Sequence, residues 1–283
     1  MAKKNLIISG FTGYDYEQIR PYVLSIQQHV GANTDLVMAV GRTSDATKQQ
    51  LEQLGWRIIG IPENKDIPIH VMRFLPIYDF LSKHADQYDF VVSTDVKDVV
   101  FQTCPFVWLE QHLIAQYHLV AGSEALKYRD EPWGCENLYQ AYGGYVWEQY
   151  LQKPIYNVGT LGGHAEYMRD LFFNLFYGSL GKPIPIVDQA VFNVLIQTLP
   201  YKDHVFFAEQ RDGWACQAGT VADPQKMHEF RPCLLEPEPI WENNLVYTGS
   251  DSKTCKRGTE FVIVHQYDRV PDWRYNYLKK YEK

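Results

Sequence analysis

The chain is predicted to be an α/β protein with a mostly parallel sheet flanked by helices, and three observations lead there. Over residues 1–102, short β-rich apolar runs alternate with longer segments of helical character, the habit of stacked β-α-β units. One of these runs, Phe90-Val91-Val92, is continuous and not alternating, as a strand buried on both faces requires. At 283 residues, 46% of them hydrophobic, the chain can also bury a core large enough to need no disulfide staples.

Taken in order, residues 6–9 form the first candidate strand, a Leu-Ile-Ile-Ser run closed by Gly10. A helix over 16–30 leads to a second strand at 36–40. Ser44 is a natural N-cap for a helix over 45–54, which is followed by a strand at 57–61, a helix over 71–84 and a strand at 90–93. Beyond Gln102 the alternation breaks. An apolar run at 117–122 opens an irregular segment over 123–144, followed by a strand at 155–161 and helices over 165–177 and 188–199. Residues 200–256 read as loop and hold Pro224, Pro232, Pro237 and Pro239; a stretch this long in a compact domain marks a binding lobe or lid. A strand at 261–264 then delivers His265 ahead of a polar, aromatic tail.

Composition narrows the function. With 27 Lys and Arg against 34 Asp and Glu, the net charge of -7 offers no basic field for a nucleic-acid backbone. A small anionic ligand held by a few cations or a metal remains compatible. The 20 Tyr and 7 Trp suit flat polar ligands such as sugars and bases, and equally an aromatic-rich core. Five dispersed cysteines, Cys104, Cys135, Cys216, Cys233 and Cys255, make neither a C-x-x-C pair nor an even set, so a reducing cytoplasm is expected. The apolar run at 5–9 is too short for a signal segment, and no stretch approaches the ~18 apolar residues of a membrane span. The chain is therefore expected to be neither secreted nor membrane-spanning.

The segment Ser93-Thr94-Asp95-Val96-Lys97-Asp98-Val99-Val100-Phe101-Gln102 carries the most chemistry. Asp95 falls just past the carboxyl end of a buried strand, the edge at which open α/β sheets bind ligands. Two carboxylates at this spacing can share a divalent cation, and Mg2+ or Mn2+ prefers such oxygen ligands. On spacing alone an ordinary turn, with Asp95 capping backbone and Asp98 facing Lys97 or solvent, is the commoner arrangement, because Asp is frequent in turns.

This segment resembles the Asp-Val-Arg-Asp-Val-x-Phe-Gln form of the acidic motif of nucleotide-sugar glycosyltransferases with the GT-A fold. Three further segments stand in the order that family has them: Asn157-Val-Gly159-Thr-Leu-Gly162-Gly163, Val187-Asp188-Gln189-Ala-Val-Phe-Asn193 and Val264-His265-Gln266-Tyr-Asp268-Arg269. The acids depart from the commoner D-x-D spacing, which leaves open whether both touch the metal or one holds the ribose.

The resemblance implies a single GT-A-like, Rossmann-type catalytic domain over 1–283, its half at 1–102 binding the nucleotide and its half at 103–283, an irregular acceptor-side lobe, binding donor sugar and acceptor. It implies hexosyl transfer from a nucleoside-diphosphate sugar, UDP ahead of GDP, to a hydroxyl of a glycan or glycolipid, with Mn2+ or Mg2+ as cofactor. Asp95 and Asp98 would handle metal, ribose and diphosphate, and His265 would be a third metal ligand; a neutral imidazole suits Mn2+. Ser9, Gly10 and Phe11 follow the first strand, where this fold puts the base, so Phe11 or Tyr14 would stack on it. Arg73 would face the diphosphate, while Asn157 and Gly159 would meet the sugar, the amide through hydrogen bonds and the glycine by leaving room. Asp188, at the positive end of a helix, would be the catalytic carboxylate and stay ionised, with Gln189 on the donor sugar. In the loop over 123–144, Glu124 is a candidate general base or acceptor contact, and Trp133 a stacking surface.

Two rival classes share parts of this pattern. A sugar-nucleotide nucleotidyltransferase also uses carboxylate-held Mg2+, but Ser9-Gly10-Phe11-Thr12-Gly13 lacks the basic glycine loop such enzymes place on a triphosphate. A non-catalytic nucleotide- or carbohydrate-binding module would need only part of the set. The setting implied is a cytoplasmic enzyme of polysaccharide or lipid-linked glycan synthesis. The tail beyond Tyr267, with Arg269, Arg274, Lys279 and Lys280 among Trp273, Tyr275, Tyr277 and Tyr281, suits either a closing helix or peripheral contact with the inner face of a membrane.

Overall fold

The computed structural model describes residues 3–249 and 258–282. Within them the strands are β1 (Lys4–Phe11), β2 (Thr34–Val40), β3 (Trp56–Gly60), β4 (Tyr88–Thr94), β5 (Val99–Phe101), β6 (Leu119–Lys127), β7 (Pro154–His164), β8 (Val205–Ala208), β9 (Ala215–Gln217), β10 (Ile240–Glu242), β11 (Leu245–Tyr247) and β12 (Ile263–His265). Seven make one sheet in the order β3-β2-β1-β4-β7-β6-β8. Only β7 runs against its neighbours, pairing antiparallel with both β4 and β6. The sheet thus takes strands from both sides of Gln102.

Helices cover both faces. Phe74–His84, Ala165–Ser179 and Asp188–Ile196 enclose one apolar cluster, built on Leu6, Val91, Leu161 and Phe172. Tyr16–His29, Asp45–Gln53 and Pro105–His112 enclose the other, around Ile7, Val92, Trp108 and Trp214. Asp15 caps the first of these helices in a reciprocal box with Gln18. The expected cap Ser44 accepts from the Thr47 N–H at 3.2 Å.

The helix expected over 71–84 is interrupted. It forms Ile69–Met72 and Phe74–His84, meeting at Arg73. Pro76 explains the break: it has no N–H to give the Met72 carbonyl four residues back, and its ring crowds that carbonyl.

Two further expectations are corrected. The segment 123–144 is not irregular: β6 continues to Lys127, and a helix runs over Pro132–Tyr150. Glu131 starts it, accepting from the N–H groups of Trp133 and Gly134 at 3.3 and 2.5 Å, with Pro132 at the first helical position. Gly134, Gly143 and Gly144 hide this helix from propensity, and Gly143 kinks it at φ 75°. Residues 200–249 are not loop either, but hold β8 to β11 and the one-turn helices Ala218–Val221 and Met227–Phe230. Each is too short to show a period in sequence.

A second sheet, in the order β5-β12-β9, stands beside the first. β12 runs antiparallel to β5 and parallel to β9, so that Val99, His265 and Gln217 lie in one row. Under it the C-terminal helix Pro271–Lys280 packs Trp273 and Tyr277, joined by Tyr281, against Trp241 and Tyr267. Three of the four tail aromatics are thereby turned inward, and Tyr275 alone stays exposed.

Gln102, the last residue of the acidic motif, proves structural. Its buried amide donates to the carbonyls of Val246 and Phe261, each at 2.9 Å, and accepts from the Val246 N–H at 2.8 Å and the Tyr277 hydroxyl at 3.0 Å. No described helix is long and apolar enough to cross a membrane. Cys104, Cys135, Cys216 and Cys233 are free thiols, and Cys255 lies outside the described residues.

Candidate functional site

The turn from Asp95 to Asp98 carries the chain from the end of β4 into β5, and the Asp95 N–H is held by the Gly159 carbonyl at 2.9 Å. Because β12 pairs with β5 in the register His265 opposite Val99, the imidazole lands next to Asp98. One ligand atom from each of Asp95, Asp98 and His265 then falls within 4.8 Å of the others. His265 Nε2 is 3.4 Å from Asp95 Oδ2 and 3.8 Å from Asp98 Oδ1. Its Nδ1 is bonded to Gln217 Oε1 at 2.7 Å, so Nε2 is the nitrogen that faces the acids. Gly159 leaves the space between them: a Cβ there would come within 2.8 Å of both Asp95 Oδ2 and His265 Cε1.

Charge in this cluster is finely opposed. Burial works against the Asp95 carboxylate, yet the Arg73 guanidinium and His265 outweigh it and hold Asp95 well below the usual carboxylate range. Asp98 moves the other way, pushed up by burial and by Asp95 and Asp268 despite His265. For His265 burial disfavours the charge, but Asp98 and Asp95 raise its affinity for a proton overall. Two carboxylate oxygens and one imidazole nitrogen are a donor set that fits Mn2+.

Arg73, set at the helix junction made by Pro76, bonds to Asp95 through Nη1 and to Asp188 through Nη2 at 3.1 Å. Asp188 opens its helix with its own Oδ1 accepting from the Gln189 N–H at 3.1 Å. Burial pushes its carboxyl up, against the pull of Arg73. Glu124 enters from a bulge in β6, where pairing with β7 slips and Ala125 takes the unusual φ of 56°. It accepts from Asn157 Nδ2 at 2.7 Å and Gln189 Nε2 at 3.2 Å, and Asn157 Oδ1 in turn accepts from the Gly159 N–H at 2.6 Å. Burial and the neighbouring Glu131 push the Glu124 carboxyl up to about 6. Asn193, from the same motif as Asp188, clamps both the N–H and the carbonyl of Tyr156 and is structural.

One cavity of about 430 Å³ is lined by Arg73, Asp95, Asp98, Glu124, Asn157, Gly159, Asp188, Gln189 and His265, with Trp133 at its edge. A second, of about 270 Å³, adjoins it and brings in Gly10, Phe11 and Tyr14. The Phe11 and Tyr14 rings stack at 6.3 Å; Phe11 is buried and Tyr14 half-buried, so Tyr14 presents the more open ring. Ser9 belongs to neither cavity. It is fully buried, its Oγ accepting from the Tyr22 hydroxyl at 2.8 Å and the Thr94 N–H at 3.0 Å, which ties β1 to β4. Gln217 and Glu131 lie outside the motifs: Gln217 owes its place to strand pairing with His265, and Glu131 to its role as a helix cap.

No protein-family model matches the chain, and no curated protein matches it in sequence. Among solved structures, it is similar to the apo structure of the bifunctional glycosyltransferase WbbM, over 83% of this chain with 15% identity and a TM-score of 0.52. The chain spans only 42% of the length of that protein. It is also similar to the galactosyltransferase LgtC, solved in complex with donor and acceptor sugar analogues, over 92% of this chain and 86% of the other, with 14% identity and a TM-score of 0.50. The fold is accordingly the GT-A-like one of these glycosyltransferases.

Proposed function

We propose that the chain is a glycosyltransferase that moves a hexosyl group from a nucleoside-diphosphate sugar, UDP ahead of GDP, to a hydroxyl of a glycan or glycolipid acceptor. One observation carries the reading: a divalent-cation donor set, Asp95, Asp98 and His265, opens into the same cavity as Asp188, Gln189 and Glu124, at the carboxyl edge of a GT-A-like sheet. The similarity to two glycosyltransferase structures supports it. The proposal treats 1–283 as one catalytic domain, with 1–102 serving the nucleotide and 103–283 the sugars.

Asp95, Asp98 and His265 would hold Mn2+ or Mg2+, which when bound would supply positive charge against a departing diphosphate. Arg73, between Asp95 and Asp188, adds a fixed guanidinium beside the same group. Gly10, with Phe11 and Tyr14, forms the nucleoside side of the site. Asn157 and Gln189 direct amide groups at the donor sugar, and Gly159 lets it approach the backbone. Asp188 is assigned as the carboxylate that faces the reacting carbon. Glu124, with its affinity for a proton raised close to neutrality, takes the proton of the acceptor hydroxyl, while Trp133 offers its ring to the acceptor sugar.

Incubating the purified chain with a panel of UDP- and GDP-sugars and following nucleoside diphosphate release tests this directly. One donor is expected to give release that requires Mn2+ or Mg2+ and disappears in Asp95→Asn and Asp98→Asn. Release from no donor, or full release by both variants, would refute it.

A further inference from the structure

We infer that Gln217 is a positioning residue for the cation site: it holds His265 so that Nε2, and not Nδ1, is offered to the metal. The inference rests on the metal reading above. It starts from strand pairing. β9 and β12 run parallel with Gln217 directly opposite His265, so the two side chains stand on the same face of the small sheet. Gln217 Oε1 lies 2.7 Å from His265 Nδ1.

An amide can turn either end toward a ring nitrogen, so what fixes its orientation matters. Here Gln217 Nε2 is committed to Thr160 Oγ1 at 2.9 Å. Thr160 is itself anchored, its carbonyl accepting from Trp214 Nε1 at 3.0 Å and its residue lying in β7 opposite Thr94. Gln217, Thr160 and Trp214 are all completely buried, so no bulk water competes for these groups. With Nε2 donating to the Thr160 hydroxyl, the accepting end of the amide is the one that meets the imidazole, and it calls for a proton on Nδ1.

A histidine donating its far nitrogen to a fixed acceptor presents the near one as a lone pair with a set direction, and loss of such an outer partner typically costs 10–100-fold in metal affinity. Without Gln217 the neutral ring is free to carry its proton on Nε2, pointing N–H at the place the cation must occupy, and free to rotate. Asp95 and Asp98 reach the site by a turn; His265 reaches it by a strand whose neighbour sets its tautomer.

Mn2+ binding to the purified chain, read from the electron paramagnetic resonance signal of free Mn2+, tests this without any turnover. Gln217→Met, which removes the acceptor, is expected to bind Mn2+ about 10–100-fold more weakly than the parent. Gln217→Glu, which keeps an oxygen against Nδ1, is expected to bind at least as well as the parent. Equal affinity in Gln217→Met, or a loss in Gln217→Glu as large as in Gln217→Met, would overturn the assignment. A second measurement needs no variant: at pH 9 in the metal-free protein, ring 15N correlations should show the neutral His265 protonated on Nδ1, and a proton on Nε2 would overturn it. A parent chain that takes up no Mn2+ at millimolar concentration would bring down the metal reading itself, and this inference with it.

Discussion

Gly159→Ala places a methyl group against two of the three proposed ligands, Asp95 and His265, and against Asn157. The added Cβ would lie 2.8 Å from Asp95 Oδ2, 2.8 Å from His265 Cε1 and 2.9 Å from Asn157 Oδ1. Carbon atoms settle at about 3.5–4.0 Å from one another, and carbon and oxygen at roughly 3.3 Å or more, so each neighbour must retreat by about half an ångström or further. None is free to do so. Asp95 is bonded to Arg73, His265 to Gln217 and Asn157 to Glu124. The backbone of Gly159 is not left-handed, so the effect comes from the methyl group alone. Overpacking of this kind costs about 1–3 kcal/mol, or a fall in Tm of a few degrees. Function should suffer far more, because a misplacement of about 1 Å in a reacting constellation costs on the order of 100-fold in rate. The assay is donor turnover across an Mn2+ titration, with melting curves on the same samples. We expect turnover down about 10–100-fold and a raised Mn2+ requirement in a protein that still folds. A variant with the parent's Mn2+ titration and turnover would refute the idea that Gly159 leaves room for the ligands.

Glu124→Gln should separate stability from activity. The folded protein holds the Glu124 proton up to about pH 6 against an ordinary value of 4.5, so the group's contribution is most favourable below pH 4.5 and declines by about 2 kcal/mol as pH rises through 6. The amide should therefore melt a few degrees above the parent at pH 7.5, match it near pH 4, and transfer no sugar; a lower melt at pH 7.5 or intact transfer would count against it. In the parent, turnover should fall as pH drops through about 6, which a pH-rate profile checks. Gln102→Leu removes four hydrogen bonds from a buried amide and orphans their partners, so stability should drop by about 3–5 kcal/mol, visible as a Tm lower by roughly 10 °C, whereas an unchanged melt would show the amide to be dispensable.

The part of this architecture that sequence discloses is the part dictated by local pattern. β1 to β4 lie within two residues of where the apolar runs at 6–9, 36–40, 57–61 and 90–93 end; for β1 and β4, inside the sheet, this is because a strand buried on both faces needs an unbroken apolar run, while β3 is an edge strand with Arg57 exposed. Asp95 follows from the same logic, as the first polar residue past β4. Glu124 is harder: its direction depends on a slip in the pairing of β6 with β7, which no local pattern encodes. The helix Pro132–Tyr150 is carried by a cap, Glu131, and by burial of Leu138, Ala141 and Tyr150, while its glycines argue against it. Gln217 is invisible for a third reason. It lies in a three-residue strand, and its meaning comes from a register with His265, which is 48 positions away. Gln102 teaches the converse, since a motif position suggestive of chemistry turns out to hold the second sheet to the C-terminal helix.

The claim at the centre of this reading is that a cation between Asp95, Asp98 and His265 fastens a nucleoside diphosphate at the sheet edge. Thermal melting of the purified chain with UDP, with and without Mn2+, tests it most directly. A ligand present at 100 times its Kd stabilises the native state by about 2.7 kcal/mol, several degrees in Tm for a protein of this size. We expect that shift from UDP and Mn2+ together, little from either alone, and none in Asp95→Asn. An equal shift from UDP without any divalent cation, or no shift from UDP or GDP under any condition, would contradict it.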